Sequence, residues 1–471
     1  METVPITIEE VENYIRKNIF CLQSESYARK YPKWPGFVGI EVEMMPVKKG
    51  GENAGLIPLQ GSQGTAGLLR EIASPVGGTL SYFDEDEGFD GGVLGMKTST
   101  GDQFTFEPGG QLEFSSKPYP CLTDVVSRIE RVQEALDAVA EKHGVSIFQS
   151  GINPHQTVED IGLQMTKPRY QAMDAFFSQL GPYGQRMMRQ TCTIQVNLDF
   201  GRSETTLAKR YLLSNLLAPF ATATFANSPM VDGKLTEFAS FRSKVWQEMD
   251  KSRTGFPSGL AGLLGSLDLD KCVQLYTAYI LSSKVVFIPQ HDYRVGDGQL
   301  DFATWVKEGV DGVFPTLEDF ENQLSLHFPE VRARGFLEIR SLDCQGRSFQ
   351  EVPAAYYTSL LYHNDSMEKA LDLLAPHVDD IAELLIKSSY GLADTLIADL
   401  ACQIGKIVLE GFSKLPECYQ GDSTRRQLEV FMDRFLMRNR CPADELRDSF
   451  RSAESTWAAL EAVDNEWARL V

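Results

Sequence analysis

Cysteine pairs at C-x-x-C spacing are absent from this chain of 471 residues, and its eight cysteines lie far apart at 21, 121, 192, 272, 344, 402, 418 and 441. That scatter excludes a zinc ribbon and a dense disulfide framework, and it fits a reducing compartment. Only six histidines occur. None forms an H-E-x-x-H pair, so nothing favours a catalytic zinc. There is no P-loop, no G-x-S-x-G elbow and no Rossmann fingerprint, which removes the commonest nucleotide and hydrolase signatures. No apolar run reaches the length of a membrane span. The opening M-E-T-V-P-I-T lacks the basic and apolar regions of a secretion signal. The expectation is a cytoplasmic protein with no membrane partner. Positive charge is also scarce: 45 Lys and Arg stand against 65 Asp and Glu, a net charge of -20. Phosphate backbones need basic patches, so a nucleic-acid partner is excluded.

What is present is a repeated strand design. Phe104 to Ser116 reads F-T-F-E-P-G-G-Q-L-E-F-S-S. Alternated as a strand, it sends Glu107, Gly109, Gln111 and Glu113 one way and Phe106, Gly110, Leu112 and Phe114 the other. Pro108 cannot donate to a ladder, so a bulge or interrupted pairing is expected there. Phe37 to Met44 sets Glu41 and Glu43 opposite Val38, Ile40, Val42 and Met44. Thr191 to Phe200 sets Thr193, Gln195, Asn197 and Asp199 opposite Cys192, Ile194, Val196, Leu198 and Phe200. Phe336 to Asp343 sets Glu338 and Arg340 opposite Leu337 and Ile339. If these strands share one sheet, Glu41, Glu43, Glu107, Glu113, Gln195, Asn197, Glu338 and Arg340 line one concave surface. So many carboxylates repel unless cations neutralise them. Oxygen ligands of this kind suit magnesium or manganese, with substrate phosphates completing the coordination.

Around these strands the chain reads as mixed α+β. Thr7-Ile8-Glu9-Glu10 is a capping box for a helix to about Phe20. Residues 48 to 67 read as a long surface loop, and Asp84 to Glu87 as a solvated charge run. Val93 to Thr98 and Gln103 to Phe106 form a hairpin through Ser99 to Asp102. Leu122 to His143 is a long helix, by the spacing of Val125, Ile129, Val132, Leu136 and Val139. Arg186 to Arg189 reads as a basic turn, and Thr206 to Ala226 as an apolar helix. Arg242, Lys244, Lys251 and Arg253 cluster around Trp246. From about Val352 the chain is helical. The expected organisation is a catalytic core over 1–360 and a helical C-terminal part over 361–471 packed on it, with no linker between.

The segments F-E-P-G-G-Q-L-E-F-S, R-Q-T-C-T-I-Q-V-N-L-D-F, F-A-N-S-P, F-R-S-x-x-W with D-K-S-R-T-G, and F-P-E-V-R-A-R-G-F-L-E-I-R occur in that order between about Gly36 and Leu374. Together they resemble glutamate–cysteine ligases of the plant and proteobacterial type. The resemblance implies a curved, mainly antiparallel sheet forming a funnel, related to glutamine synthetase, with helices outside. It implies ATP-dependent joining of the glutamate side-chain carboxylate to the amino group of cysteine, at the start of glutathione or a related thiol's synthesis. Its implied metal ligands are Glu41, Glu43, Glu107, Glu113 and Glu338, for Mg2+ or Mn2+. Gln195 and Asn197 become polar wall residues near nucleotide or substrate, Arg242 and Arg253 anion-binding residues, and Arg340, Glu107 and Glu338 the groups nearest the chemistry. Two departures stand out. Val42 replaces the usual histidine of the first motif, and S-L-D-C-Q-G-R-S-F-Q follows the E-x-R strand where plant members have a glycine-rich stretch with tryptophan and paired arginines. The partners expected are small molecules, L-glutamate and L-cysteine, with the chain as monomer or homodimer. A ligase with another amine acceptor, or a non-catalytic metabolite-binding relative, is the alternative.

Overall fold

An eleven-residue strand, β1 (Val38–Lys48), is the axis of a sheet of ten strands. The others are β2 (Gly55–Leu56), β3 (Gly78–Tyr82), β4 (Val93–Thr98), β5 (Gln103–Phe106), β6 (Leu112–Ser115), β7 (Val145–Phe148), β8 (Ile194–Leu198), β9 (Val331–Ala333) and β10 (Leu337–Ile339). The main order is β9-β10-β8-β1-β6-β5-β4-β3, and β2 and β7 also pair with β1. Every pairing in it is antiparallel. The structure is a computed structural model and describes residues 4–48, 54–83 and 92–471. The charge run at Asp84 to Glu87 lies outside the described residues.

Strand β1 changes partners along its length. Its first half runs between β6 and β8, with Glu43 opposite Glu113 and Glu41 opposite Gln195. Its second half pairs with β7 and β2. Strand β10 extends the sheet beyond β8, with Glu338 opposite Asn197. The four two-faced strands therefore do share one sheet, and their polar positions share one face. Their apolar positions, among them Val42, Met44, Phe114, Leu112, Val196 and Ile339, are buried.

One strand is different from its reading. Phe104 to Ser116 is not one strand: the pairing is interrupted around Pro108, as expected, but the chain turns back there into a hairpin, in which Phe106 pairs with Leu112 and Thr105 with Glu113. Glu107 N–H donates to the Gln111 carbonyl (2.9 Å), and Gly110 N–H returns to the Glu107 carbonyl (2.8 Å). Gly110 has φ 89°, the left-handed conformation that closes a hairpin of this length. Because the strand folds back rather than running on, Glu107 and Glu113 come to one end of the same face. Period-2 alternation alone cannot distinguish the two shapes.

The basic turn at 186–189 is also corrected: Pro182–Arg189 is a helix with proline in its first turn, where the missing N–H costs nothing. The capping box at Thr7 and Glu10 forms, and the helix after it continues through a π-helical turn to Ile19. Helix Leu122–Lys142 lies behind the sheet. Helix Glu204–Thr224 is buried nearly all round, as expected of a core helix without a polar stripe. No described helix is long and apolar enough to cross a membrane. Seven α-helices follow Glu351, from Val352–Leu361 to Thr456–Trp467. One hydrophobic core runs without a break from Ile6 through the sheet to Trp467.

The hairpin turn has no room to spare. A Cβ on Gly109 would sit 2.3 Å from the Arg189 carbonyl oxygen and 2.6 Å from its Cα, atoms that cannot rotate away. Gly109→Ala is expected to lower stability by about 1–3 kcal/mol, the usual cost of overpacking. Urea unfolding measures it; a change within about 0.3 kcal/mol would mean the turn is free to move.

Candidate active site

The first half of the site is a carboxylate cluster. One oxygen each of Glu43, Glu107 and Glu113 lies within 4.8 Å of the others. Glu43 is buried, while Glu107 and Glu113 are partly open to the cleft. Their fixation differs. Glu43 accepts the Thr193 N–H (2.8 Å), and Glu113 accepts the hydroxyls of Thr105 (2.7 Å) and Ser115 (3.0 Å). Glu41 borders the cluster and accepts the Asn197 amide (3.0 Å).

Removal from water and mutual repulsion push all four carboxyls up. Glu41 rises to about 7 through burial and then the charges of Glu113 and Glu338. Glu113 rises to about 7 through burial and then Glu107. Glu43 is pushed well up by burial, Glu107 and Glu113, and Glu107 by burial first. A divalent cation is the group that would let them ionise together. The separations match oxygen ligands held at about 2.0–2.6 Å around one ion.

The second half is cationic. Glu338 is completely buried between three guanidiniums: Arg332 binds it with two nitrogens, Arg334 Nη1 donates at 3.3 Å, and Arg340 Nη1 at 3.2 Å. Burial alone would raise its carboxyl, but Arg332 and Arg340 outweigh it and hold it at about 2. Arg340 Nη1 also donates to Gln195 (2.9 Å), and its Nε is buried without a partner. Arg242 is buried over the Trp246 ring, donates to the Arg340 carbonyl (2.8 Å) and likewise has a free Nε. Thus Glu41, Glu43, Glu107, Glu113, Gln195, Asn197, Glu338, Arg242 and Arg340 come together.

Arg253 does not join them. Its Nε pairs with Asp250, and its two Nη atoms donate to the carbonyls of Leu326 and Lys284. It is a buried tie between loops, with its donors used by the fold. Arg347, after the E-x-R strand, pairs with Asp137 instead of facing the site. Cys344 is fully buried and touches the Glu43 carbonyl through its sulfur (3.2 Å). Burial drives its thiol well up, so it packs as a small apolar group.

Three groups were missed. Arg332 and Arg334 lie in V-R-A-R-G-F-L-E, whose alternation and glycine mark a hairpin with Arg332 opposite Glu338. Glu330 is buried with its carboxyl raised to about 7, mainly by burial, and Arg242 and Arg340 oppose that rise. Nothing in F-P-E-V marks it as such. A cavity of about 720 Å3 is lined by Thr105, whose hydroxyl donates to Glu113, and by Met96, Phe106, Met165 and Tyr170 among others.

Residues 37–410 match the family described as glutamate-cysteine ligase family 2. The chain belongs to that family. The chloroplastic glutamate–cysteine ligase of Medicago truncatula is 31% identical over 389 residues, covering 81% of this chain and 70% of that protein. That of Brassica juncea is 32% identical over 389 residues, with 81% and 69% covered. That of Arabidopsis thaliana is 32% identical over 321 residues, with 67% and 59% covered. Among solved structures, the glutamate–cysteine ligase of Francisella tularensis in complex with AMP aligns at a TM-score of 0.51. That alignment covers 92% of this chain and 89% of that one at 12% identity, so the likeness is one of fold.

The two halves of the site respond oppositely to pH. The raised carboxyls of the cluster stabilise the fold while protonated, and that contribution is lost as pH rises through about 7. In EDTA, Tm should therefore fall between about pH 6 and about pH 8. Magnesium or manganese should raise Tm more at the higher pH, where protons do not compete. Equal shifts at both would remove the cluster as a cation site. Glu338 has the other sign: its contribution is present above the ordinary carboxylate range and is lost as pH falls towards about 2. Glu338→Gln leaves buried guanidiniums unpaired and should cost about 3–5 kcal/mol in urea unfolding.

Proposed function

We propose that the chain is an ATP-dependent glutamate–cysteine ligase that forms gamma-glutamylcysteine, the first step towards glutathione or a related thiol. The observation that carries this reading is the meeting, on one sheet face, of a carboxylate cluster and a guanidinium cluster in a member of glutamate-cysteine ligase family 2.

The chemistry needs both halves. A carboxylate does not accept an amine at neutral pH, because its leaving group is poor. Transfer of the ATP gamma-phosphoryl group to an oxygen of the glutamate side chain breaks the bond to ADP and makes an acyl phosphate. The cysteine amine then attacks the acyl carbon, loses a proton and expels phosphate, leaving the amide. Magnesium or manganese held by Glu43, Glu107 and Glu113, with Glu41 and Glu338 flanking, would supply charge neutralisation of the ATP phosphates. Arg340 is the group suited to the transferred phosphoryl oxygens: its Nε is unpartnered, and Glu338 and Gln195 fix its plane. Arg242 adds charge behind it. The raised carboxyls of the cluster fit a site waiting for cations rather than a static ion-pair network. Eight unpaired cysteines agree with a reducing compartment, for which we propose the cytoplasm.

The assay is ADP release with glutamate, ATP and Mg2+ against a panel of amines. Cysteine should give the highest kcat/KM, with 2-aminobutyrate slower, since a thiol-to-methyl change in a small pocket is worth only about 1–3 kcal/mol. Another amine ahead by about tenfold would keep the ligase chemistry and end the cysteine assignment. No ADP release with any amine would leave only a binding relative. Glu107→Gln should lower turnover by about 100-fold or more, the scale of one preorganised electrostatic group. Arg340→Lys keeps the charge but loses the planar fork. It should lower kcat more than it raises KM for glutamate; an effect on stability alone would make Arg340 a structural ion pair.

A further inference from the structure

The acidic side chains buried among the described residues are Glu43, Asp102, Asp319, Glu330, Glu338, Asp343 and Glu351. All but one accept a hydrogen bond. Glu43 takes a backbone N–H, Asp319 and Asp343 take N–H groups and hydroxyls, and Glu351 takes the hydroxyls of Ser423 and Thr424 and the Gln427 amide. Asp102 and Glu338 take guanidiniums. Glu330 alone has no donor on its carboxylate among the described residues. A buried acid without a donor is costly, so its place in the fold calls for a cause.

Glu330 is 4% exposed and stands just before β9. Its backbone is clamped on both sides: its N–H donates to the Gly255 carbonyl (3.3 Å), and its carbonyl accepts the Arg340 N–H (2.9 Å). Arg242 and Arg340 attract the carboxylate, yet burial still holds it at about 7. Neither guanidinium bonds to it. Arg340 is engaged with Glu338 and Gln195, and Arg242 with the Arg340 carbonyl. Unlike the Nε atoms of those two arginines, the Glu330 oxygens are not closed off inside the protein.

What they open on is a cavity of about 500 Å3, with Glu330 in its wall. It lies between residues 254–261 and helix Ile381–Ser388, so the core and the C-terminal part build it together. Phe256, Leu260, Ile381 and Leu385 make its walls apolar, and Ile386, 56% exposed, forms its outer edge. The other charges of the lining cancel. Lys244 and Glu248 pair at 2.8 Å, and Lys251 and Asp379, both exposed, are of opposite sign. The charge left over is that of Glu330.

That wall selects the chemistry of an occupant. Glu330 lacks a donor, and a carboxylate bonds most strongly to a charged one. A divalent ion would need about six oxygen ligands, whereas the walls beside Glu330 offer carbon. An organic ammonium brings several N–H donors and an apolar part that gains by leaving water. We propose that this cavity is a second ligand site, which takes a small primary amine with its ammonium on Glu330 and a branched apolar group between Phe256 and Leu385. A free amine and an amino acid share that chemistry, and the carboxylate of the latter has Lys251 to meet.

Isopentylamine is the probe, titrated calorimetrically into the full chain at about pH 8, where Glu330 is ionised. Saturating Mg2+ keeps the carboxylate cluster occupied. One-to-one binding in the millimolar range or tighter is expected, weakened about tenfold or more by Glu330→Gln. Isopentyl alcohol carries the same apolar group without the charge and should bind about tenfold less tightly; equal affinity would overturn the ammonium contact and the proposal with it. Ile386→Arg sets a like charge at the outer edge and should also cost about tenfold. It changes an exposed residue, so an unchanged affinity there would overturn the site even if Glu330→Gln fails to fold. No binding up to about 10 mM would do the same. So would an equal loss in Glu107→Gln, which would put the amine in the carboxylate cluster. Leucine binding at least as tightly as isopentylamine would name an amino acid as the natural ligand, and leucine binding more weakly a free amine. Each reading is of binding alone, so the site is tested apart from the ligase activity.

Discussion

Carboxylates forced together out of water must either keep their protons or find a cation, and the site is organised by that constraint. Glu43, Glu107 and Glu113 lie within 4.8 Å of one another, two of them on the paired strands β1 and β6 and Glu107 in the turn that follows β5. No flexible loop would hold three mutually repelling groups at that spacing. The sheet does so because β1 and β6 are locked in register, with Glu43 directly opposite Glu113, and because the hairpin turn returns Glu107 to the same end. The donors that reach them are a backbone amide and two hydroxyls, which fix position without supplying charge. The missing charge is left for a ligand to bring.

The neighbouring half solves the opposite problem. Arg332, Arg334 and Arg340 converge on Glu338, which thereby becomes the most acidic carboxyl of the site at about 2. Glu41 lies between the halves, raised by Glu113 and Glu338 and lowered by Arg340. A molecule carrying both metal-bound phosphates and free anionic oxygens fits such a boundary. One side attracts its cations and the other its oxygens. Neither half alone has this property.

Much of this was legible in the chain because a sheet face has a period of two. Glu41 and Glu43, Gln195 and Asn197, and Glu338 and Arg340 each sit two apart, so their shared faces follow from alternation. The pairing of distant strands does not follow from it, and neither does the folding back of Phe104 to Ser116, since a tight hairpin preserves the same alternation. Arg253 was misplaced for a related reason. Its basic neighbours marked a cluster in sequence, but a side chain's partners depend on which loops pack beside it, and here Asp250, Leu326 and Lys284 each take a bond from one of its three nitrogens. Glu330 was invisible because its character comes from burial near Arg242 and Arg340, not from its neighbours in sequence.

The segments that carry the family likeness divide between chemistry and the framework that aims it. F-A-N-S-P and the aspartate of S-L-D touch no carboxylate of the cluster, yet they meet in one buried knot. The Asp343 carboxylate accepts the Asn227 N–H (2.8 Å) and the hydroxyls of Ser228 (2.6 Å) and Ser240 (2.8 Å), while the Asn227 amide donates to the Cys344 carbonyl (2.8 Å). Gly151 passes so close that a Cβ there would lie 2.4 Å from the Asp343 carboxyl carbon. The knot ties the exit of β10 to the start of helix Phe241–Met249, whose second residue is Arg242. The Ser228 hydroxyl also accepts the Arg242 N–H (3.2 Å), and Arg242 in turn grips the Arg340 carbonyl. The knot thus positions the Arg242 backbone, and through Arg242 the Arg340 carbonyl, while the Arg340 guanidinium is held by Glu338 and Gln195. A carboxyl that satisfied three donors less completely would let the guanidiniums drift towards the nearest acids of the cluster. The separation of the site into a cationic and an anionic half depends on that knot as much as on the sheet.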